Sequence, residues 1–310
     1  MSENITNAMN KKVSKKYAIL SSIIIILAII LILTLFFKNR GYSLPNLKAI
    51  DSGITEIRIN RGTNENSLII KLDDGKWTVN EKYKADSGIV ASMTNALNLI
   101  KPVEIISRGE DDKEKYKLLD EELLTVIAID NSSKELRNIK FGMKATLGNN
   151  VYAQIDKDKN IYLLGNLSSN PKDIFDKSED DIINKTISSI RNDKINKITV
   201  SYNNKDYTLE KSESTNWLKV WNNSTVKVDD LYSPIYTIAN FKADGLIREN
   251  LDKNLALYKI EIFADNDFVL YEILNKNNNY EVSLSNDNNR YYINDTTFSN
   301  LKEAIDNIIK

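Results

Sequence analysis

Two stretches of this chain repeat the same apolar rhythm about 140 residues apart, a period that points to tandem domains rather than a solenoid. The first is ITEIRINRGTNENSLIIKLDDGKWTVNEKYKADSGIVASMTNALNLI, from Ile54. The second is INKITVSYNNKDYTLEKSESTNWLKVWNNSTVKVDDLYSPIYTIANF, from Ile195. Ile54, Ile57 and Ile59 align with Ile195, Ile198 and Val200 at an offset of 141, and Trp77 aligns with Trp217 at 140. Asp86 aligns with Asp229 at 143, each opening an amphipathic run, and Arg108 aligns with Arg248 at 140. Further on, LLTVIAIDNSSKELRNIKFG pairs with LYKIEIFADNDFVLYEILNK, and NVYAQIDKDKNIYLL with NYEVSLSNDNNRYYI. The offset there shrinks to about 130, which needs only shorter loops and costs little.

Each unit reads as strands followed by a helix and a meander. Ile57 and Ile59 alternate onto one face of an opening strand. Leu68–Leu72 leads through Asp73-Asp74-Gly75 into Trp77-Thr78-Val79, and an Asp-Gly pair between apolar runs predicts a tight hairpin. Asp86 is expected to cap a helix to Leu99, with Ile89, Met93, Ala96, Leu97 and Ile100 as its apolar stripe. Strands follow at Leu123–Ile129, Leu136–Phe141, Val151–Ile155 and Asn160–Leu164. Helices over Asp173–Asp176 and Asp180–Ile190 close the first unit. A last helix, capped by Thr296 or Thr297, carries Phe298, Leu301, Ile305 and Ile308. The expected class is α+β: an N-terminal transmembrane helix, then two similar units of antiparallel sheet with helices on one face.

The membrane expectation rests on Tyr17–Phe37, 21 residues of which Ile19–Phe37 carry no charge. As a helix this run spans roughly 30 Å, the thickness of a bilayer core. It is longer than a signal-peptide apolar region and runs into Phe36-Phe37-Lys38-Asn39-Arg40 rather than a small-residue cleavage site, which predicts an uncleaved anchor. Lys11, Lys12, Lys15 and Lys16 precede it, against Lys38 and Arg40 after it. That bias places the N-terminus in the cytoplasm and the bulk outside. The organisation expected is a cytoplasmic basic tail over 1–16, the span over 17–37, a linker over 38–48, and units over 49–191 and 192–310.

Composition narrows the chemistry. With no Cys and no His, the chain has no disulfide, no Ser-His-Asp or Cys-His nucleophile and no zinc site of the usual kind. A net charge of −1 gives no reason to expect nucleic acid. Glycine-rich nucleotide loops are missing, so no nucleotide and no cofactor is expected. Ser-x-x-Lys occurs at Ser169/Lys172, Ser224/Lys227 and Ser299/Lys302, as often as composition alone yields and without the companion motifs of penicillin-binding enzymes. Asp156-Lys157-Asp158-Lys159-Asn160 opens like a calcium loop, but Ile161 stands where Gly is needed and Leu167 where Glu is needed, so a polar turn is expected. Two acidic runs, RGEDDKEKYK and SEDD, read as solvated charge. Trp77, Trp217 and Trp221 are either core anchors or stacking platforms for sugars. No catalytic, cofactor or metal residue is singled out.

The opening I-x-x-I-x-I strand, LDDGKWTV and KADSGIVASMTNALNLI resemble the start of the bacterial family called domain of unknown function 4340. FGMKATLGNNVYAQIDKDKNIYLL and SSIRNDKINKITV are similar to its middle segment and to the linker strand between its halves. The likeness covers most of Ile54–Phe241; Gly148-Asn149-Asn150 and Ser189-Ile190-Arg191 depart from its pattern. It implies an anchored envelope protein, often encoded near ABC transporters of the gliding-motility type, and brings no catalytic residue with it. The leading expectation is therefore a non-enzymatic, membrane-anchored accessory or scaffold subunit partnering an ABC transport system or other envelope proteins. An envelope glycan- or lipid-binding module is the alternative, and a carboxylate-based hydrolase the third.

Overall fold

A computed structural model describes residues 17, 19–35, 44–47, 49–50, 53–62, 67–119, 121–213, 216–248, 256–265, 267–276 and 279–310. Helix α1 covers 19–35. Among the described residues no helix is long and apolar enough to cross a membrane. Residues 18 and 36–37, which complete the expected span, lie outside the described residues, as do the 1–16 tail and 38–43 and 48 of the linker.

The first sheet is built from β1 (Glu56–Arg61), β2 (Leu68–Asp73), β3 (Lys76–Val79), β4 (Tyr83–Lys84), β5 (Lys101–Ser107), β6 (Leu124–Ile129), β7 (Glu135–Lys144), β8 (Val151–Ile155) and β9 (Ile161–Gly165). Its order is β4-β3-β2-β1-β6-β7-β8-β9-β5, with every pairing antiparallel. Helix α2 (Ser87–Leu99) carries the chain from one edge strand, β4, to the other, β5. The β2–β3 turn has positive φ at Asp74 and Gly75, as a two-residue hairpin with native strand twist requires. Asp86 caps α2 by accepting from the N–H groups of Gly88 and Ile89. Met93, Ala96, Leu97 and Ile100 of the expected stripe are buried, and Val90 is buried with them, while Ile89 is only partly buried against the core.

The second sheet contains β11 (Ile195–Tyr202), β12 (Lys205–Glu213), β13 (Asn216–Lys219), β14 (Ser224–Lys227), β16 (Gly245–Ile247), β17 (Ala256–Ala264), β18 (Phe268–Lys276), β19 (Asn279–Leu284) and β20 (Arg290–Ile293). Its order, β14-β13-β12-β11-β17-β18-β19-β20-β16, is the same path through space as the first. Helix α5 (Val228–Ala239) takes the place of α2, and α6 (Asp295–Ile309) follows the meander. The registers agree as well. Ile57 faces Ile70, which faces Val79; Ile198 faces Leu209, which faces Lys219. Trp77 and Trp217 therefore hold equivalent places, two residues before Val79 and Lys219. On the other side Ile57 faces Ala128, as Ile198 faces Ile262.

Each sheet buries one face: Ile57 and Ile59 are buried while Arg58 between them is exposed. A single continuous core then runs from Ile57 through Ile190 to Ile308. The chain is thus a mixed α and β structure with two large antiparallel sheets and few helices.

Three local expectations change. Over 180–190 only α4 (Glu179–Ile182) is helical; β10 (Thr186–Ser189) follows and pairs with β15 (Asn240–Lys242). The β-branched Thr186 and Ile187 favour the extended form, and β15 supplies the missing backbone partners. The final helix is capped by Asn294, whose side chain accepts from the N–H of Thr297, rather than by either threonine. Asp229 stands in the first turn of α5 and makes no cap bond.

Candidate functional site

Between α3 (Pro171–Phe175) and β11 the chain crosses from one sheet to the other, and the two sheets are clamped there. Besides the β10–β15 pair, Ala85 and Ile183 form an isolated bridge, and the N–H of Asp86 donates to Ile182 O at 2.8 Å. The hydroxyl of Ser188, itself buried, donates to Ala239 O at 2.7 Å, and Asn240 Nδ2 donates to Ile190 O at 2.8 Å. Ion pairs reinforce the rim. Arg248 reaches Glu179 at 2.7 Å and Asp180 at 2.9 Å and lies over the ring of Tyr83; Lys242 reaches Asp86 at 3.2 Å. Burial alone would push the Asp86 carboxyl up, but Lys242 and the N–H groups of Ile89 and Gly88 outweigh it and hold the group below the usual carboxylate range. Ser178 does the same for Asp181, the other half of a capping box.

The acidic runs therefore serve structure. SEDD supplies the carboxylates that hold Arg248. In RGEDDKEKYK, Asp112 accepts from the Ser107 hydroxyl at 2.6 Å and Glu110 pairs with Lys113 at 2.8 Å. The Ser-x-x-Lys pairs also have local roles. Lys172 is buried and donates to Gly142 O at 2.8 Å and to Glu122 O, Lys302 pairs with Asp306, and Ser224 donates to Asn222.

The run that opens like a calcium loop is the β8–β9 turn, and its carboxylates are engaged within the sheet: Asp156 accepts from the N–H of Asn138 at 2.9 Å. Asp158 accepts from the N–H of Asn160 at 2.9 Å and from the Tyr162 hydroxyl at 2.5 Å. The β19–β20 turn repeats the arrangement: Asp287 accepts from the N–H of Asn289 at 2.9 Å and from the Tyr291 hydroxyl at 2.9 Å. Burial first, and then the neighbouring carboxylate, raise both phenols above their ordinary value. Among the described residues no group of three or more acidic side chains is placed to hold a metal ion.

Of the tryptophans, Trp217 is 1% exposed and Trp77 half-buried, both packed on the core. Trp221 stands edge-on to Tyr207 at 5.4 Å between ring centroids.

Among the described residues, concavities of two kinds stand out. One lies where 45–47 and 49–50 meet β7 and β8, lined by Leu47, Ile50, Arg137, Asp156 and Tyr162, with a volume of about 650 Å³. The other kind occurs once on each sheet, against the helix that follows β4 or β14. In the first unit it lies between α2 and α3, where Ile89, Ala96, Leu99, Leu167 and Ile174 supply most of the exposed wall and Asp173 and Lys177 also line it. In the second it lies between α5 and α6, measures about 690 Å³, and is polar: Lys219, Asp230, Ser233, Thr237, Asn300 and Glu303 line it. Sequence reasoning flagged none of these side chains as a group, because they come from three separated elements. The one available signal was Lys219 standing at a core position of the aligned strand.

The architecture defines a two-sheet protein of mixed α and β structure with clefts beside its helices. A family model, "Domain of unknown function (DUF4340)", matches residues 77–261, from Trp77 in β3 to Glu261 in β17. The chain belongs to that family. No curated protein and no solved structure matches it.

Proposed function

We propose that the chain is a membrane-anchored extracytoplasmic protein built from two tandem similar units, acting as a scaffold or accessory subunit of a membrane complex such as an ABC transport system. The observation that carries the reading is the clamp between the sheets. Paired strands, buried hydroxyl bonds and ion pairs fix two like surfaces in one orientation, which suits holding partners in register more than turnover. The apolar run with its basic flank supports the anchor, which would raise the concentration of the domain beside other membrane proteins. Copurification of the full chain from gently solubilised membranes is expected to yield integral-membrane partners in fixed ratio. Recovery of the chain alone under conditions that keep known membrane complexes intact would overturn the proposal.

A glycan-binding role is the second reading. It is favoured by Tyr232 and Tyr236, both more than half exposed on α5, whose rings lie nearly parallel with centroids 6.4 Å apart. Such a pair offers a flat face to a sugar ring.

A further inference from the structure

The position that register makes equivalent to Val79, a residue with no exposure at all, is Lys219, and it is 8% exposed. A lysine buried to this degree is rare unless its ammonium is paired. Among the described residues the ammonium of Lys219 makes no ion pair and donates no hydrogen bond; its Nζ lies 5.4 Å from the centroid of the Trp221 ring. The side chain instead lines the α5–α6 cleft. Asp230 and Glu303 also line that cleft, without an ion pair to Lys219, and Asn300, Ser233 and Thr237 add neutral polar groups. Pro234, inside α5 and in the cleft wall, has no N–H to give to the carbonyl of Asp230, so a further acceptor is left over on that side. One cation among two carboxylates and a spare carbonyl is complementary to a ligand bearing both charges.

We infer that the α5–α6 cleft binds a short zwitterionic peptide or amino acid, its carboxylate paired with Lys219 and its ammonium with Asp230 and Glu303. The volume falls in the range of small-molecule sites. The corresponding cleft in the first unit is lined by Lys177 and Asp173 as well as by Ile89, Leu99 and Ile174, but Val79 stands at the position equivalent to Lys219, and the cleft is not expected to bind the same ligand. The inference goes beyond the scaffold proposal and stands or falls separately from it.

The test titrates the detergent-purified full chain with alanyl-alanine, N-acetyl-alanyl-alanine and alanyl-alanine amide, by calorimetry and by Trp fluorescence, since Trp221 adjoins Lys219. Alanyl-alanine is expected to bind, and loss of either terminal charge to weaken binding about tenfold or more, the scale of a charge-assisted hydrogen bond. Lys219→Val copies the side chain of the first unit, and Lys219→Met keeps the length of the stem. Each is expected to abolish binding while the thermal melt stays cooperative. Glu303→Gln and Asp230→Asn, on helix surfaces, are expected to weaken the free-amine ligand and leave the acetylated one unchanged. No binding of alanyl-alanine at millimolar concentration, equal binding of all three ligands, or undiminished binding by a folded Lys219→Met variant would overturn the inference.

Discussion

Trp217 and Trp77 occupy equivalent strand positions but different environments, so the same substitution should have unequal cost. Trp217 is 1% exposed and packed in the core, and truncating a fully buried Trp to Ala removes about 3–5 kcal/mol through lost transfer energy and the cavity left behind. Trp77 is only half-buried, and a proportionate loss is about half that. For a folded region of this size each kcal/mol moves the melting temperature by about 2–4 °C, so Trp217→Ala should melt at least 6 °C or so lower. A further contrast sharpens the test. The indole Nε1 of Trp217 is buried with no hydrogen-bond partner among the described residues. Leaving a buried donor unpaired costs about 1–3 kcal/mol, so Trp217→Phe, which deletes the donor and keeps most of the ring, should come within about 1 kcal/mol of the parent. Urea unfolding followed by circular dichroism measures all three variants. If Trp217→Ala costs under about 1 kcal/mol, or Trp217→Phe costs as much as Trp217→Ala, the assignment of the indole as a packed but hydrogen-bond-starved core anchor is wrong.

Two other outcomes follow from local geometry. The carboxyl of Asp86 is held below its ordinary value of 3.8 in the fold, so its contribution is present above that pH and disappears as pH falls through the lower, folded value. Melts between about pH 2.5 and about pH 7, on either side of that window, should show Asp86→Asn less stable than the parent at neutral pH and the gap closing in acid; a gap that widens in acid would contradict the pairing with Lys242. In β7, a Cβ added to Gly142 would lie 2.1 Å from the carbonyl oxygen of Tyr116, while Lys172 pins the glycine's own carbonyl from another side. Gly142→Ala should therefore cost about 1–3 kcal/mol by chemical denaturation, whereas Gly53→Ala, with nothing among the described residues within 4 Å of its new Cβ, should be close to neutral.

What could be read in advance follows period and spacing. The β1–β2–β3 register was legible because Ile57, Ile59 and Trp77 recur at nearly constant offset, and side-chain alternation leaves little freedom once one face is buried. The Asp-Gly turn and the Asp86 cap were legible because their chemistry is local. The 180–190 region was misread because Ile182, Ile183, Ile187 and Ile190 fit a helical spacing. The choice of strand came from β15, more than fifty positions further on, through backbone bonds that leave no mark in the local pattern. The Asp158–Tyr162 contact was visible only as a failed calcium loop. Its repetition at Asp287–Tyr291 identifies it as a turn lock, which needs both hairpins side by side to recognise. The α5–α6 cleft was not legible, since Lys219, Asp230 and Glu303 converge only when the last helix packs back on α5.

Two sheets with the same strand order and register also act as controls for one another. Where both bury an aliphatic side chain, as Ile57 and Ile198 do, the fold alone accounts for the choice. At the Val79 position it does not. An aliphatic residue satisfies this place in one unit, and a lysine there brings a desolvation cost that packing of its stem only partly offsets. The neighbouring Trp221 ring returns some of that cost, since a partly desolvated cation over an aromatic face gains about 1 kcal/mol. That is less than a paired carboxylate would give, and Asp230 and Glu303, which line the same cleft, do not close on the ammonium. A cation held apart from nearby carboxylates is an arrangement that a third, doubly charged body completes. A lysine at this position, against a valine in the first unit, is a difference between two sheets of the same strand order that a purely structural role for Lys219 leaves without a cause.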